Sequence, residues 1–546
     1  MSAVAQPRLT PFERLLSLIT KVRAGEGRVV ALFGAHVFLV LFSYYLFRAA
    51  RSGFLLDKSS AERGAYATAV IAGLLMLLVP LYSALRRLFD GPQLVTTIIA
   101  FFVGCLLAFW VADSAGLDIG FAFYVFVGIF NVMMIAQFWA LAADSFNVKT
   151  GQRLFPAIML AAQFGAIAGT EFTEYLSVPL GTHNLLLVGA AALFMTALFT
   201  GPMHAGVPDE SRHLQHDAPH HQRSLFGGFD VVAGSRYLTL IALMVVLINW
   251  ISSTGDFMFN TFVKQHFEAV VAASPVPLVK RDLITAYVGN FFFWIIVIQL
   301  FIQAFLVGRF FRWFGVATTL LIAPVISLIG YSMLGFAPVL SMIRLVRTME
   351  QSTEYSVTNT CRQALFLPVD RTECYEGKTT IETFFWRFGD LLQAGMVWVG
   401  TSQLGWGVTG FAFFNVALAA FWFAVALLVG QEYRRLAKQN LTNEAPKLKR
   451  PIPDAHWTAD TPLEHHLPHD AFEDSDPGDV MTLSARLADG SPLPEWLSFD
   501  HHHGRFHAPG VDVEFDELTI EVTATDHDGM SASGTFVLRR MTVSRG

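Results

Sequence analysis

Four charged residues follow helical spacing inside a strongly apolar part of the chain, between Ser341 and Ala394. Side chains three or four residues apart lie on one face of a helix, so the spacing predicts an ionic stripe. Ionisable groups at membrane depth are costly and normally face a bundle interior or an aqueous cavity. The stripe therefore favours solute-binding cations held or released by acids, although a salt-bridge network that only ties the bundle together is the alternative. The residues are Arg344, Arg347, Glu350 and Glu354.

A second charged group opens the next apolar helix, after a short loop. It contains Lys378, Glu382, Arg387 and Asp390. The two helices together are predicted to line a polar route through the membrane, in which Lys378, Arg387 and Asp390 contact the solute.

Polar residues also interrupt three other apolar segments. Arg48 and Arg51 lie three apart on the first one, where they either contact an anion or snorkel to the membrane interface. Asp256 belongs to a polar, glycine-containing stretch of the seventh segment, and discontinuous helices at such positions often form binding sites. Asn131 is a candidate solute contact on the fourth segment, or a hydrogen-bonding residue between helices.

Two further signals concern helix ends and helix packing. Asp144 ends the fourth segment and Arg153 opens the fifth, so they are predicted to pair as a gate latch or to act as ordinary topology anchors. Gly165 and Gly169 are four apart, which indicates close helix packing rather than chemistry.

The composition indicates a membrane protein. Of the 546 residues, 53% are hydrophobic and 15% charged, whereas soluble domains carry about 25% charged residues. The net charge of −6 gives no indication of nucleic-acid binding. The three cysteines form no disulfide framework or metal-ligand spacing. No nucleophile–base pair, phosphate-binding glycine loop or zinc signature occurs in the apolar part, so neither an enzyme nor a cofactor is expected there.

Apolar stretches of about 20 residues are long enough to cross a bilayer. The hydropathy pattern predicts an all-α polytopic membrane protein of twelve transmembrane helices in two halves, followed by an all-β sandwich. The predicted spans are 29–50, 65–85, 93–112, 119–142, 154–176, 184–202, 237–262, 284–308, 315–336, 338–359, 381–402 and 407–430.

Loop charge and composition predict the topology and the domain boundaries. Lysine and arginine are concentrated in the loops on the side of the N-terminus, so both termini are predicted to be cytoplasmic. The predicted segments are a cytoplasmic N-terminal segment (1–28), a first six-helix half (29–202), a polar His-rich linker (203–236), a second half (237–430), a basic linker (431–453) and a sandwich (454–546).

The last segment alternates short β-rich runs with turn signals. Leu518, Ile520, Val522 and Ala524 repeat with period two, as in a half-buried strand of a β-sandwich. The segment is therefore predicted to be a separate soluble domain.

Several stretches resemble the nucleotide (ATP/ADP) translocase family of intracellular bacteria and plastids. They include YYLFRAARSGFLL, FNVMMIAQFWALAADSFNVKTGQRLFPAI, STEYSV and ALFLPVDRTECYEGKTTIETFFWRFGDLL, in the family's order across roughly 30–430. The resemblance implies a fold related to the major facilitator superfamily, nucleotide exchange by alternating access, and a bacterial inner-membrane location. It places Arg48 and Arg51 at basic positions of the first helix, and Lys378 and Arg387 in the penultimate helix. The chain departs from the family's carriers at Asp390, where a basic residue is expected.

The tail resembles a dystroglycan-type cadherin-like or immunoglobulin-like domain. The matching runs are DAFEDSDPGDVMTLSARLADGSPLPEWLSFD, HHHGRF and LTIEVTATDHDGMSASGTFVL. Five aspartates could supply oxygen ligands to calcium, or could simply build turns. They are Asp474, Asp476, Asp479, Asp526 and Asp528.

Two functional hypotheses follow. The preferred one is a secondary transporter that moves an anionic solute, with nucleotide as one candidate, across the bilayer. The alternative is a non-transporting membrane platform whose β-sandwich binds a protein or glycan partner.

Overall fold

The computed structural model divides the chain into two compact units, Met1–Arg434 and Arg435–Gly546. The residues that it describes are 10–17, 20, 22–23, 26–88, 91–146, 148–205, 227–369, 371–440, 445–458, 461–474, 481–501, 503–510, 515–526 and 529–541. The first unit is helical and the second is built from strands.

The first half of the helical unit consists of long helices that correspond to the apolar stretches of the sequence. After the short helix α1 (Pro11–Leu16), they are α2 (Gly27–Lys58), α3 (Ala61–Leu88), α4 (Gly91–Ser114), α5 (Gly120–Ser145), α6 (Val148–Leu180) and α7 (Thr182–Ala205). A phenylalanine-rich core joins α2, α4, α5 and α7, and includes the fully buried Phe47, Phe123 and Phe130. Most of the predicted linker 203–236 lies outside the described residues, but its end forms α8 (Gly227–Gly234).

The second half contains more interrupted helices. They are α9 (Arg236–Ala273), α10 (Lys280–Phe301), α11 (Val307–Thr319), α12 (Ile322–Phe336), α13 (Leu340–Thr353), α14 (Asn359–Ala364), α15 (Arg371–Thr380), α16 (Trp386–Trp398) and α17 (Val408–Asn440). Four π-helical turns lie in this half: Ile302–Leu306, Glu354–Thr358, Ile381–Phe385 and Val399–Gln403. Such turns are rare in proteins overall, and many of those that are known lie at functional sites.

Among the described residues, eight helices are long and apolar enough to cross a membrane. The ionic stripe lowers the apolar content of α13, and the π-helical turns divide other helical segments into short pieces. The count of twelve spans stays a prediction.

Close packing of α2 against α6 depends on the predicted glycine pair. A Cβ atom on Gly165 would lie 2.2 Å from the Phe38 carbonyl oxygen, and one on Gly169 would lie 2.5 Å from the Phe42 carbonyl oxygen. Side chains at these positions would push the two backbones apart, so the close-packing prediction is confirmed.

The second unit is a β-sandwich. Its strands are β1 (Lys447–Leu448), β2 (Ala455–Trp457), β3 (Leu463–His466), β4 (Phe472–Glu473), β5 (Thr482–Leu487), β6 (Ser498–Asp500), β7 (Arg505–Ala508), β8 (Glu517–Thr525) and β9 (Ser531–Arg540). They form sheets of order β2-β9-β8-β5, β3-β7-β6 and β1-β4. Both the end of α17 and β1 lie inside the predicted linker 431–453.

Alternating burial along β8 confirms the period-two prediction. Ile520, Val522 and Ala524 are fully buried and point into the sandwich core, where they pack with Trp457 and Phe506. The antiparallel register pairs Ile520 with Phe536, so one face of the hairpin is apolar throughout.

Candidate functional site

A cavity of about 170 Å³ lies between the two halves of the helical unit. Helices α2, α3 and α5 line it from the first half, and α9 and α16 line it from the second. The predicted site residues that it brings together are Arg51, Asn131, Asp256, Arg387 and Asp390. Aromatic rings of Tyr44, Tyr124, Phe257 and Trp386 complete the wall.

Arg51 supplies a cation to this cavity from α2. Its guanidinium carbon lies 4.2 Å from the centroid of the Tyr124 ring, and its buried Nε atom has no hydrogen-bond partner. Among the described residues, no carboxylate forms an ion pair with Arg51. A cation–π contact leaves the edge of the guanidinium free to donate hydrogen bonds, so Arg51 can bind an anion.

Arg387 and Asp390 neutralise each other on the opposite wall. The Arg387 guanidinium lies 3.3 Å from an Asp390 carboxylate oxygen, and Asp390 is only 3% exposed. Asn249 Nδ2 donates to Asp390 over 2.8 Å, and Ser253 Oγ over 3.0 Å. Because Asn249 and Ser253 belong to α9, this cluster joins α9 to α16.

A second network lies behind Asp256. Arg347 is fully buried, donates to Asp256 over 2.6 Å and forms an ion pair with Glu350. Glu350 also accepts a 2.6 Å hydrogen bond from the Tyr331 hydroxyl, and Gln351 Nε2 donates to Asp256 over 3.0 Å. The Asp256 side chain remains 44% exposed, so the network extends to the cavity surface.

Gly255 makes this network sterically feasible. A Cβ atom there would lie 2.2 Å from the Tyr331 hydroxyl oxygen and 2.6 Å from an Arg347 nitrogen. The glycine therefore allows the buried arginine to approach the backbone of α9, which is a reason for its place beside Asp256.

Arg48 lies outside the cavity wall, among aromatic rings. Its guanidinium carbon is 4.1 Å from the Phe292 ring centroid, and its NH2 group donates to the Tyr355 hydroxyl over 3.2 Å. The side chain is buried, so it is not the interfacial snorkel that the sequence left open. Through Phe292 and Tyr355 it connects the two halves.

Arg344 and Glu354 of the stripe face neighbours other than the cavity. Arg344 donates to Asn290, and Asn290 in turn donates to Glu174 of α6 over 2.7 Å. Glu354 accepts a 2.9 Å hydrogen bond from Ser252 of α9. The stripe thus divides between two sides of α13 instead of lining one cavity.

Two other candidates lie away from the cavity wall. Lys378 donates to Gln363 over 2.5 Å and lies 5.6 Å from the Phe366 ring centroid. Arg153 forms a two-pronged pair with Glu26 at 2.6 and 2.5 Å. The side chain of Asp144 lies outside the described residues, so the Asp144–Arg153 latch stays a prediction.

The pair with Arg153 changes the chemistry of Glu26 at the start of α2. Burial alone would raise the pKa of the Glu26 carboxyl, but hydrogen bonds from Arg153 and from the Arg23 amide lower it below its usual value. Glu26 therefore stays ionised and connects α2 to the start of α6.

One polar cluster was missed by the sequence reasoning. Arg281 donates to both carboxylate oxygens of Asp113 at 2.9 Å, and His183 Nδ1 lies 2.8 Å from the same carboxylate. Asp113 ends α4 of the first half, whereas Arg281 begins α10 of the second. Neither Asp113 nor Arg281 was a candidate from the sequence, because nothing local indicates that these two helix ends meet.

The calcium hypothesis concerns residues that are only partly described. Asp476, Asp479 and Asp528 lie outside the described residues. Asp526 accepts a hydrogen bond from the Met530 amide over 2.8 Å, which closes the turn between β8 and β9. No metal-binding group of three His, Cys, Asp or Glu side chains occurs in the described part of the chain. Calcium binding stays a prediction.

Comparison with known proteins gives two kinds of relative. Residues 445–540 match a family model described as "Putative Ig domain". ADP,ATP carrier protein 1 of Chlamydia muridarum is 22% identical over 322 residues, which cover 50% of this chain and 58% of that protein. ADP,ATP carrier protein 1 of Chlamydia trachomatis is 24% identical over 198 residues, which cover 32% of this chain and 35% of that protein. The chain thus matches less than two thirds of the length of these relatives.

Solved structures of transporters share the fold. A bacterial homologue of the iron transporter ferroportin, inward-facing, has a TM-score of 0.53 at 9% identity over 74% of this chain and 98% of its own. A bacterial homologue of the lysosomal transporter Spinster has a TM-score of 0.51 at 12% identity, over 76% and 99%. A mutant of the nucleoside transporter NupG has a TM-score of 0.50 at 12% identity, over 75% of this chain and 99% of its own. The helical unit therefore shares the fold of these transporter structures.

Proposed function

We propose that this protein is a secondary transporter that moves an organic anion, with nucleotides as the first candidates, by alternating access. The observation that carries the proposal is Arg51, a cation without a carboxylate partner among the described residues, on the wall of a cavity between two halves. The likeness to ADP,ATP carriers supports nucleotides as the class to test first.

The pairing of the charged side chains on the cavity wall supports an anionic rather than a cationic solute. On this wall Asp390 is paired with Arg387, and Asp256 shares the buried Arg347 with Glu350. Arg51 faces the same space, and among the described residues it contacts the Tyr124 ring but no carboxylate. An anion bound there would supply the missing counter-charge, and the aromatic rings could stack on a planar group of the solute.

Alternating access requires contacts between the halves that open in turn. The Asp113–Arg281 pair joins α4 to α10 at one end of the bundle, which fits a gate on the side where these helices meet. With the proposed orientation, both termini are cytoplasmic and this gate faces the outside. Protease protection of tags at the two termini in intact cells would test that orientation.

The test is counterflow of labelled ATP, ADP and other organic anions into proteoliposomes that contain the full chain. Arg51→Ala should raise the solute concentration that gives half-maximal counterflow about 10- to 100-fold. The reason is that a charge-assisted hydrogen bond contributes about 1.5–3 kcal/mol. The exposed Arg309, whose guanidinium donates to the Phe305 carbonyl, supplies the control variant Arg309→Ala.

A third variant distinguishes the transporter hypothesis from the alternative of a non-transporting membrane platform. Deletion of 451–546 should leave counterflow intact if the helical unit is the transporter. Absence of counterflow for every anion in the full chain, together with equal solute binding by Arg51→Ala and the unaltered protein, would reject the proposal.

A further inference from the structure

Glu354 occupies an unusual backbone position. Helix α13 continues into α14 through the π-helical turn Glu354–Thr358, and Glu354 is the first residue of that turn. The residue also belongs to the predicted span 338–359, and that prediction would place it at membrane depth. A carboxyl group at such a depth is normally paired or functional.

The carboxyl group of Glu354 has a hydroxyl as its partner instead of a cation. Ser252 Oγ donates to it over 2.9 Å, and no ion pair of Glu354 is found among the described residues. Arg347, about two helical turns earlier, is already bound by Asp256 and Glu350. An ionised Glu354 would thus be the third acid beside one buried cation.

The other charged groups near Glu354 do not neutralise this excess of three acids over one buried cation. Glu350 and Arg347 act on Glu354 from α13, and Arg362 acts on it from α14. Arg362 lies 3.7 Å from Glu382, so it is shared with another acid. On the neighbouring residue, Tyr355 faces Arg48 and Tyr44 of α2. These groups together leave a formal excess of negative charge around Arg347.

The turn that carries Glu354 also touches both halves. Tyr355 accepts the hydrogen bond from Arg48 of the first half, whereas Ser252 attaches Glu354 to α9 of the second. Ser352, just before the turn, donates to the Ile295 carbonyl of α10 over 3.2 Å. A change of charge on Glu354 therefore acts at a contact between the halves.

We propose that Glu354 binds a transported proton, and that the protein thereby couples solute movement to a proton gradient. The step is the addition of one proton to the carboxylate from one side of the membrane and its release on the other. With Arg347, Asp256, Glu350 and Glu354 counted together, protonation reduces the net charge from two negative charges to one. This inference rests on the proposed transport function.

The first test imposes a pH gradient on proteoliposomes at zero membrane potential and uses an anion that shows counterflow. With one proton per solute, a difference of one pH unit should give about tenfold accumulation, because one unit corresponds to about 1.4 kcal/mol. Proteoliposomes that contain Glu354→Gln should accumulate the solute less than about twofold in this pH gradient and still perform counterflow. Those that contain Glu354→Asp should retain solute accumulation. Glu268→Gln, which removes a carboxylate paired with Lys264 and Lys280, is the control.

The outcomes separate the two proposals. If no anion moves in either assay, the transport function fails. If counterflow occurs but a pH gradient drives no accumulation, the proton inference fails while transport stands. Accumulation driven by a sodium gradient alone would also overturn it, because the bound cation would then be sodium.

A second readout needs no solute. Infrared spectra of the purified full chain in H₂O and D₂O should contain the C=O band of a protonated carboxyl group that disappears as the pH rises. The band should be absent in Glu354→Gln, unchanged in Glu268→Gln, and should titrate at a different pH in Ser252→Ala. An identical band in Glu354→Gln would contradict the inference.

Discussion

The helical unit and the β-sandwich treat their charged side chains in opposite ways. In the helical unit, Arg347 is fully buried and bound by two acids. In the sandwich, Lys449 and Glu473 pair at 2.8 Å but are 46% and 57% exposed. The sandwich core is almost wholly apolar, whereas polar groups pass through the middle of the helical unit. The difference indicates that charges in the bundle are kept for a purpose other than stability, because buried ion pairs rarely stabilise more than apolar packing would.

The largest expected effect follows from removal of the buried cation. Arg347→Ala leaves Asp256 and Glu350 without their counter-charge, which should destabilise the helical unit by about 3–5 kcal/mol. Thermal unfolding of the detergent-solubilised protein, followed by size-exclusion chromatography, measures the loss. Arg309→Ala is the control, and an equal melting temperature for both variants would contradict the comparison.

A smaller effect is expected from steric pressure on the same network. Gly255→Ala places a Cβ atom against Tyr331 and Arg347, and overpacking of this kind costs about 1–3 kcal/mol. Gly73→Ala, on α3 with nothing within 4 Å of its added Cβ, should instead be neutral or stabilise by about 0.5–1 kcal/mol. The same thermal assay compares the pair. Equal effects of the two substitutions would show that the network tolerates displacement.

His465 is a partly buried titratable group of the sandwich, and it makes the difference in charge burial between the two units smaller. Burial, with a contribution from His466, lowers the pKa of His465, whose ring lies 4.9 Å from that of Phe536. The unfolded chain therefore binds this proton more readily than the folded one, so stability should be full above the unfolded pKa of about 6.5 and fall as the pH drops below it.

Hydrogen exchange of the β7 and β9 amides in the full chain, between pH 5 and 8 and corrected for intrinsic exchange, measures this dependence. His465→Asn should flatten it. His456→Gln, at an exposed position of β2, should leave it unchanged, and a similar flattening by both substitutions would argue against His465.

The smallest effect is expected at the sandwich surface. Lys449→Ala removes the exposed pair with Glu473, and such pairs contribute about 0.2–1 kcal/mol. Exchange rates of the β1 and β4 amides should change little, and still less in high salt. A loss of stability as large as that expected for Arg347→Ala would show that the exposed pair of the sandwich matters as much as the buried pairs of the helical unit.

Much of the architecture could be predicted from local sequence patterns. Apolar stretches predicted the helices, Gly165 and Gly169 predicted close packing, and period-two alternation predicted β8. These features follow from neighbours along the chain, whose spacing determines which side chains share a face. Domain limits were less certain, because α17 and β1 extend into a segment that looks like a linker.

The arrangement of the site could be predicted only in part. Spacing alone treated Arg344, Arg347, Glu350 and Glu354 as one stripe, but the π-helical turn and neighbouring helices direct them to different partners. The Asp113–Arg281 pair gave no local signal, since its members are 168 residues apart.

The sequence by itself determined which segments are apolar, where charges enter them, and that a strand-forming tail follows. Only the tertiary structure decided which charges are neutralised. Arg347 meets two acids, Arg48 meets aromatic rings, and Arg51 faces the cavity beside the Tyr124 ring. The physical reason is that the cost of a buried charge depends on the partners that other helices bring, and no spacing along one helix specifies them.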